Sequence, residues 1–193
     1  MEEEIIIAGA GGQGVLFAGE VLAHAAMDAD KYVTFFPSYG AEIRGGSANC
    51  TVVISDKEIG SPVVAHPSSL IVLNNVSLNR FLNRLKKGGL LLINSSLANS
   101  EINREDIEIV KIPASEIAEK KIGNLRTANL VTLGMYLKKR EIVPLKNTVK
   151  AVEKILKGKE ELISLNQKAL KYGHLFGDLP MRHGYSYLEE LAK

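Results

Sequence analysis

The sequence is short of several things that would each point to a particular chemistry. It holds a single cysteine, Cys50, in 193 residues. No internal disulfide can form, and the four-thiolate sets that hold most iron–sulfur clusters cannot come from this chain alone. Its four histidines, His24, His66, His174 and His183, are far apart and show none of the close spacing of a metal site, so no metal is expected. No apolar run reaches the ~18–20 residues that span a bilayer. The start, Met1-Glu2-Glu3-Glu4, is acidic where a secretory signal is basic, which predicts a cytoplasmic protein with no membrane partner. Basic and acidic residues number 24 and 22 and are intermixed, so the net charge of +2 forms no basic stripe and nucleic-acid binding is not expected. Repeats, low-complexity tracts and abrupt changes of composition are also lacking.

What the chain does have is 46% hydrophobic residues, enough for one sizeable core. Residues 4–8 form a β-branched run consistent with a strand buried on both faces. From Gly14 to about Asp28 the apolar positions follow a helical period, leaving Glu20, His24 and Asp28 as a solvated polar row. Lys31 to Phe36 reads as a strand stopped by Pro37, residues 47–55 as another, and "LIVLNN", "LLLINSS" and "IEIVK" as three more. Helices are expected over residues 77–87, over 114–121 opened by Pro113, over 124–140, and over 145–156 and 160–172. The helix over 124–140 is apolar on most of its circumference, so it must lie in the core or under a partner. This alternation predicts an α/β fold: a Rossmann-like, mostly parallel sheet flanked by helices, as a single domain with a C-terminal helical extension. The domain is drawn over residues 1–176, with a tail over 177–193.

The strongest local signal is "IIIAGAGGQGV", where Gly9, Gly11 and Gly14 fit G-x-G-x-x-G between a strand and a helix. Glycines let backbone N–H groups approach a ligand, and a helix N-terminus adds partial positive charge, so an anion is the natural occupant. The same spacing also serves simple helix–sheet packing. Two further absences narrow the ligand. The second strand ends Phe35-Phe36-Pro37 where a nicotinamide fingerprint needs a carboxylate for the ribose, and Gly14 is followed by Val15-Leu16, without the Lys-Ser/Thr of an NTPase cradle. The other expected strand ends, Pro37-Ser38-Tyr39, Asn74-Asn75 and Asn94-Ser95-Ser96, form a rim of small and amide side chains suited to a polar or phosphorylated ligand.

Taken with "GAGGQGV", the stretches "FPSYGAEIRGGSANCTVVISDKEIGSP", "VLNNVSLNRF", "GGLLLINSS" and "GNLRTANLVTLG" resemble the gamma subunits of 2-oxoacid:ferredoxin oxidoreductases, over roughly residues 5–135. "YGAEIRGG" favours the 2-oxoglutarate, KorC-like branch. Indolepyruvate oxidoreductase beta subunits share the domain and are the nearest alternative. A free-standing Rossmann-type nucleotide-binding protein is a second alternative, and a packing or assembly module that binds no ligand a third. The resemblance implies conversion of a 2-oxoacid and coenzyme A to acyl-CoA and carbon dioxide, with reduction of ferredoxin. It also implies alpha and beta subunits, with or without a delta subunit, as partners that carry thiamine diphosphate, Mg and the iron–sulfur clusters. On that reading the isolated chain is inactive and self-associates as a homodimer through its uncovered partner surfaces, and coenzyme A is contacted by this chain.

No residue here is expected to be catalytic. Gly9, Gly11, Gly12, Gln13 and Gly14 are the candidate cofactor-binding residues, with Gln13 able to bond a phosphate or a partner's backbone. Tyr39, Glu42 and Arg44 are the candidates for contact with a partner or ligand, Arg44 because a guanidinium flanked by glycines can grip a carboxylate or phosphate through two parallel bonds. Cys50 reads as a small buried hydrophobe and not a nucleophile. Asn74 and Asn75 read equally well as helix caps or ligand contacts.

Overall fold

The run Glu2–Ala10 (β1) lies at the centre of a six-stranded sheet, and its Ile5, Ile6, Ile7 and Ala8 are all at most 1% exposed. The computed structural model describes residues 1–39 and 46–177. In chain order, β1 is followed by α1 (Val15–Met27), β2 (Tyr32–Tyr39), β3 (Ser47–Ser55), β4 (Ser69–Val72), α2 (Asn75–Phe81), β5 (Leu90–Asn94), β6 (Glu108–Ile112) and α3 (Ala114–Ile117). The chain ends in α4 (Ala128–Arg140), α5 (Leu145–Ile155) and α6 (Glu160–Phe176). The strand order is β2-β3-β1-β4-β5-β6. β1, β4, β5 and β6 pair in parallel, whereas β3 is antiparallel to both β1 and β2.

β3 is what alternation in the sequence could not place. It returns from β2 as an antiparallel partner and inserts between β2 and β1, pairing from Glu2↔Ser55 to Ala10↔Ser47. β2 thereby becomes an edge strand, and Pro37 does not end it. Pro37 sits inside β2 opposite Cys50, which an edge position allows because its missing N–H can face outward.

Strand alternation divides the core in two. Ile5 and Ile7 face a larger layer with α1, α4, α5 and α6, while Ile6 and Ala8 face a smaller one built on α2 with Leu78, Phe81 and Leu85. The C-terminal helices are no appendage: Ala151, Val152, Ala169 and Leu170 are fully buried in the larger layer. α4 has Leu130 to Leu137 buried without a break, and it lies in the core beneath α6. The two helices touch through glycine. A Cβ on Gly134 would lie 2.1 Å from the Leu170 carbonyl oxygen, and one on Gly173 would lie 1.9 Å from that of Val131.

Several expected helices are shorter than their apolar pattern. α2 passes into a 3-10 turn over Leu82–Arg84, and α3 continues as a π turn over Ala118–Ile122 closed by Gly123 at φ 80°. The polar row on α1 is also not simply solvated: Asp28 is held by Lys154 of α5 at 2.6 Å, and its carbonyl accepts from Asn147 Nδ2 at 2.7 Å. Among the described residues no helix is long and apolar enough to cross a membrane. Residues 178–193, which hold all but the first residue of the expected tail, lie outside the described part, as do Glu42 and Arg44.

Candidate functional site

β1 and β4 are adjacent and parallel, but the chain leaves them in opposite directions. From β1 it crosses by α1 toward β2, on the face of the larger core, and from β4 it crosses by α2 toward β5, on the other face. Such a divergence opens a crevice at the carboxyl ends of the two strands. The protein has a cleft there of about 190 Å3, lined by Gly12 and Gln13 after β1, Leu73 after β4, Asn94 at the end of β5 and Leu97 beyond it, Ser115 of α3, Leu125 and Arg126 just before α4, and Ala128 at its start.

The glycine loop is braced from within. Gln13 Oε1 accepts from the Ala10 amide at 2.7 Å and from Asn74 Nδ2 at 2.8 Å, while Gln13 Nε2 donates to the Leu73 carbonyl at 3.4 Å. Gln13 thus has its amide oxygen committed to the loop and lines the cleft with one Nε2 hydrogen left without a bond among the described residues. Its amide ties the loop to the end of β4, because the tight turn brings its side chain back over Ala10. Gly11 N–H donates to the Gly46 carbonyl at 2.9 Å. Gly9 is crowded, with a Cβ there lying 2.7 Å from Gln13 Oε1 and 2.8 Å from Val15 Cγ2. Gly12, by contrast, has φ +90° and nothing within 4 Å of where a Cβ would be. Gly14, at φ +69°, precedes α1 in the left-handed region. Among the described residues, the amides of Gly12, Gly14, Val15, Leu16 and Phe17 have no hydrogen-bond partner, as expected of donors at a helix start.

The asparagines of the rim are committed to structure. Asn74 Oδ1 caps α2 by accepting from the Ser77 amide at 2.8 Å, and Asn75 Oδ1 accepts from the amides of Asn99 and Ser100. Asn94, 1% exposed, accepts from the amides of Ser96 and Ser115 and donates Nδ2 to Ser115 Oγ at 2.8 Å. That leaves the Ser115 hydroxyl hydrogen without an acceptor among the described residues. Arg126 is exposed at the cleft, and no ion pair or hydrogen bond involving its guanidinium occurs among the described residues. The donors left unused around the cleft include the Gly12 amide, the Ser115 hydroxyl and the Arg126 guanidinium, while the side-chain acceptors Gln13 Oε1 and Asn94 Oδ1 are already paired. Against them stands an apolar wall of Leu73, Leu97 and Leu125, the last two about half exposed. The set fits an anion carried on a molecule with an apolar portion.

Arg126 and Ser115 were not singled out from the sequence. Arg126 lies in "GNLRTANLV", where the apolar pattern of the following helix hides a polar residue aimed across the sheet end. Tyr39 closes β2, with its backbone paired to Ala48. Cys50 is fully buried; its thiol donates to the Val15 carbonyl at 3.6 Å, and burial pushes its pKa up to about 12. It is therefore an inert core residue.

Comparison with known proteins agrees with this architecture. Residues 4–176 match the family described as pyruvate ferredoxin/flavodoxin oxidoreductase. The chain is 37% identical over 173 residues to the ketoisovalerate oxidoreductase subunit VorA of Methanothermobacter thermautotrophicus, a match that covers 89% of this chain and 36% of that protein. The chain thus spans about a third of the length of that relative. It is 36% identical over 164 residues to the 2-oxoglutarate synthase subunit KorC of Methanocaldococcus jannaschii, covering 83% of this chain and 88% of the relative. Among solved structures, the gamma subunit of a keto/oxoacid ferredoxin oxidoreductase from Geobacter sulfurreducens superposes with a TM-score of 0.78 at 30% identity, covering 91% of this chain and 98% of that one. A 2-oxoglutarate:ferredoxin oxidoreductase from Magnetococcus marinus, with 2-oxoglutarate, coenzyme A and succinyl-CoA bound, shares the fold with a TM-score of 0.83 at 22% identity, covering 94% of this chain and 32% of that one. The chain belongs to the pyruvate ferredoxin/flavodoxin oxidoreductase family, as a gamma-type subunit of 2-oxoacid:ferredoxin oxidoreductases.

Proposed function

We propose that this chain is the coenzyme A-contacting gamma subunit of a thiamine-diphosphate-dependent complex that converts a 2-oxoacid and coenzyme A to acyl-CoA and carbon dioxide, passing the electron pair to ferredoxin. The observation that carries the ligand is the cleft between β1 and β4, which sets unpaired donors, the Gly12 amide, the Ser115 hydroxyl and the Arg126 guanidinium, beside a leucine wall. Coenzyme A offers what such a cleft selects: phosphate oxygens for Arg126 and the Gly12 and helix α1 amides, and a largely apolar pantetheine arm for Leu73, Leu97 and Leu125. The Magnetococcus complex with coenzyme A bound is a relative in fold that uses this ligand.

Thiamine diphosphate supplies the carbanion chemistry when bound to the catalytic subunits. This chain's part is to hold the acyl acceptor and to dock. Partner alpha and beta subunits, with or without a delta subunit, carry thiamine diphosphate, Mg and the iron–sulfur clusters, since a chain with one buried cysteine has no thiolate set to offer. Val76, Leu97 and Leu125 are 70%, 48% and 57% exposed on segments near the cleft mouth, as a surface made to be covered would be. The preferred oxoacid is 2-oxoglutarate, on the strength of the sequence motif YGAEIRGG and the KorC relative. Ketoisovalerate and pyruvate enzymes are the competitors that the substrate panel must separate.

The test is co-expression with candidate alpha and beta subunits and an assay of viologen reduction dependent on both 2-oxoacid and coenzyme A. The complex turns over 2-oxoglutarate fastest, and the isolated chain turns over nothing. Arg126→Ala raises KM for coenzyme A about tenfold and leaves kcat near wild type, the loss expected for one charge-assisted hydrogen bond. An unchanged KM removes Arg126 from the site, and activity of the isolated chain removes the subunit reading.

A further inference from the structure

We propose that Asn129 is a positioning residue that aims the amide array of the glycine loop, an inference that rests on the cleft being the phosphate-binding site described above. Asn129 stands at the start of α4 and is 3% exposed. Its Nδ2 donates to the Gly14 carbonyl at 2.8 Å, joining residues 115 apart in the chain. The same carbonyl accepts the Ala18 amide at 3.0 Å, the first bond of α1. A peptide unit is planar and trans, so its C=O and N–H point in opposite directions. Holding the Gly14 oxygen therefore also fixes where the Val15 N–H points, out of the helix end with the other unpaired donors.

Two features show that this contact is specific and not mere filling. Gly14 makes room for it, since a Cβ there would lie 2.3 Å from Asn129 Nδ2. The partner atom, Asn129 Oδ1, is buried and has no hydrogen-bond partner among the described residues. The void that Asn129 lines with Ile71, Leu73 and Leu133 is too narrow to hold a water. A leucine would fill the same place without leaving an amide oxygen unpaired. What leucine cannot supply is the donor to Gly14, and through it the registration of the N-terminus of α1 against α4, where Arg126 stands one turn earlier.

The test is isothermal titration of the full chain with coenzyme A and, separately, with inorganic pyrophosphate, beside thermal unfolding of the same samples. Asn129→Leu is expected to bind both probes about five- to tenfold more weakly, the loss of one hydrogen bond's worth of registration, with a Tm at or above wild type because the orphaned oxygen is gone. Asn129→Ala, smaller and also uncharged, gives the same loss of affinity if the leucine fails to fold. In the assembled complex the variant raises KM for coenzyme A while kcat stays. A folded variant that binds as wild type does, or loses binding only in proportion to lost folded protein, overturns the role of Asn129 alone. Failure of the wild-type chain to bind either probe overturns the cleft reading and this inference with it.

Discussion

Gly9, Gly12 and Gly14 share one loop yet serve three different ends. Gly9 is a packing glycine, pressed by Gln13, Val15 and Leu73. Gly14 makes way for Asn129. Gly12 alone meets open space while holding φ +90°, so its side chain is limited by backbone conformation and not by neighbours. Gly12→Val is therefore expected to fold, at a cost of about 1–2 kcal/mol for the left-handed backbone, which calorimetry would read as a Tm lower by roughly 2–8 °C. It should also weaken coenzyme A binding, because the strained loop no longer presents the Gly12 amide. Equal affinity in a titration would make Gly12 a turn residue only. Gln13 shows why residue type alone misleads: an amide beside a glycine loop suggests a ligand contact, and here it is the brace that keeps the loop against β4.

At the scale of elements, α4 does most to join the sheet to its site. The 3-10 turn Leu125–Thr127 that leads into it sends Leu125 and Arg126 to the cleft, and the first residues of α4 itself send Ala128 to the cleft and Asn129 to the loop. Its middle lies under α6, and its end is clasped at the opposite end of the sheet, where β1 and β4 begin. There Tyr136, fully buried, donates to Glu3 Oε1 at 3.3 Å, Ser69 Oγ donates to the same oxygen at 2.5 Å, and Arg140 Nε donates to Ser69 Oγ at 3.3 Å. Burial first, and then the Glu3 carboxylate, hold the Tyr136 hydroxyl well above its ordinary pKa, so it stays a neutral donor. The α4–α6 contact tolerates no side chain at Gly134. Gly134→Ala must move a backbone carbonyl now 2.1 Å from the new Cβ, and a loss of about 1–3 kcal/mol is expected despite the better helix propensity of alanine. Chemical denaturation would show it as a lower midpoint at unchanged slope. A stabilised Gly134→Ala would mean that the two helices are free to separate.

For the whole molecule, the sheet is closed at its lower end by charges from three segments. Asp56, just after β3, accepts from the Met1 amine at 2.8 Å and pairs with Lys31, just before β2. The Lys31 hydrogen bond, then that of the Met1 amine, lowers the Asp56 pKa from 3.8 to about 2. A carboxyl whose pKa falls on folding contributes stability that is whole above its unfolded value and is lost as the pH drops through the folded one. The window is thus from pH 3.8 down to about 2. Asp56→Asn should flatten the acid limb of the stability curve in that window and change little at neutral pH beyond a small salt-sensitive loss, since the group is exposed and screened. Thermal unfolding at pH 2.5, 3.5 and 7 would check this. An acid limb that is the same in both proteins would assign the effect to other carboxylates.

Among the described residues, the local pattern of the chain was enough to locate the strands and helices, though not where α2 and α3 give way to other turns, because buried runs and helical periods are set by neighbours in sequence. It also placed the glycine loop at a strand end, put Cys50 in the core and marked the long apolar helix as buried. Asn74 and Asn75 were left open between cap and ligand; the contact with Ser77 makes Asn74 a cap, and those with Asn99 and Ser100 make Asn75 a brace for the segment after β5. The insertion of β3 between β2 and β1 depends on pairings between distant residues such as Ile7 and Cys50, which no local period encodes. The cleft is of the same kind. Gly12, Ser115 and Arg126 come from three separate segments that meet only because the chain diverges between β1 and β4, so their shared character as unpaired donors belongs to the tertiary structure.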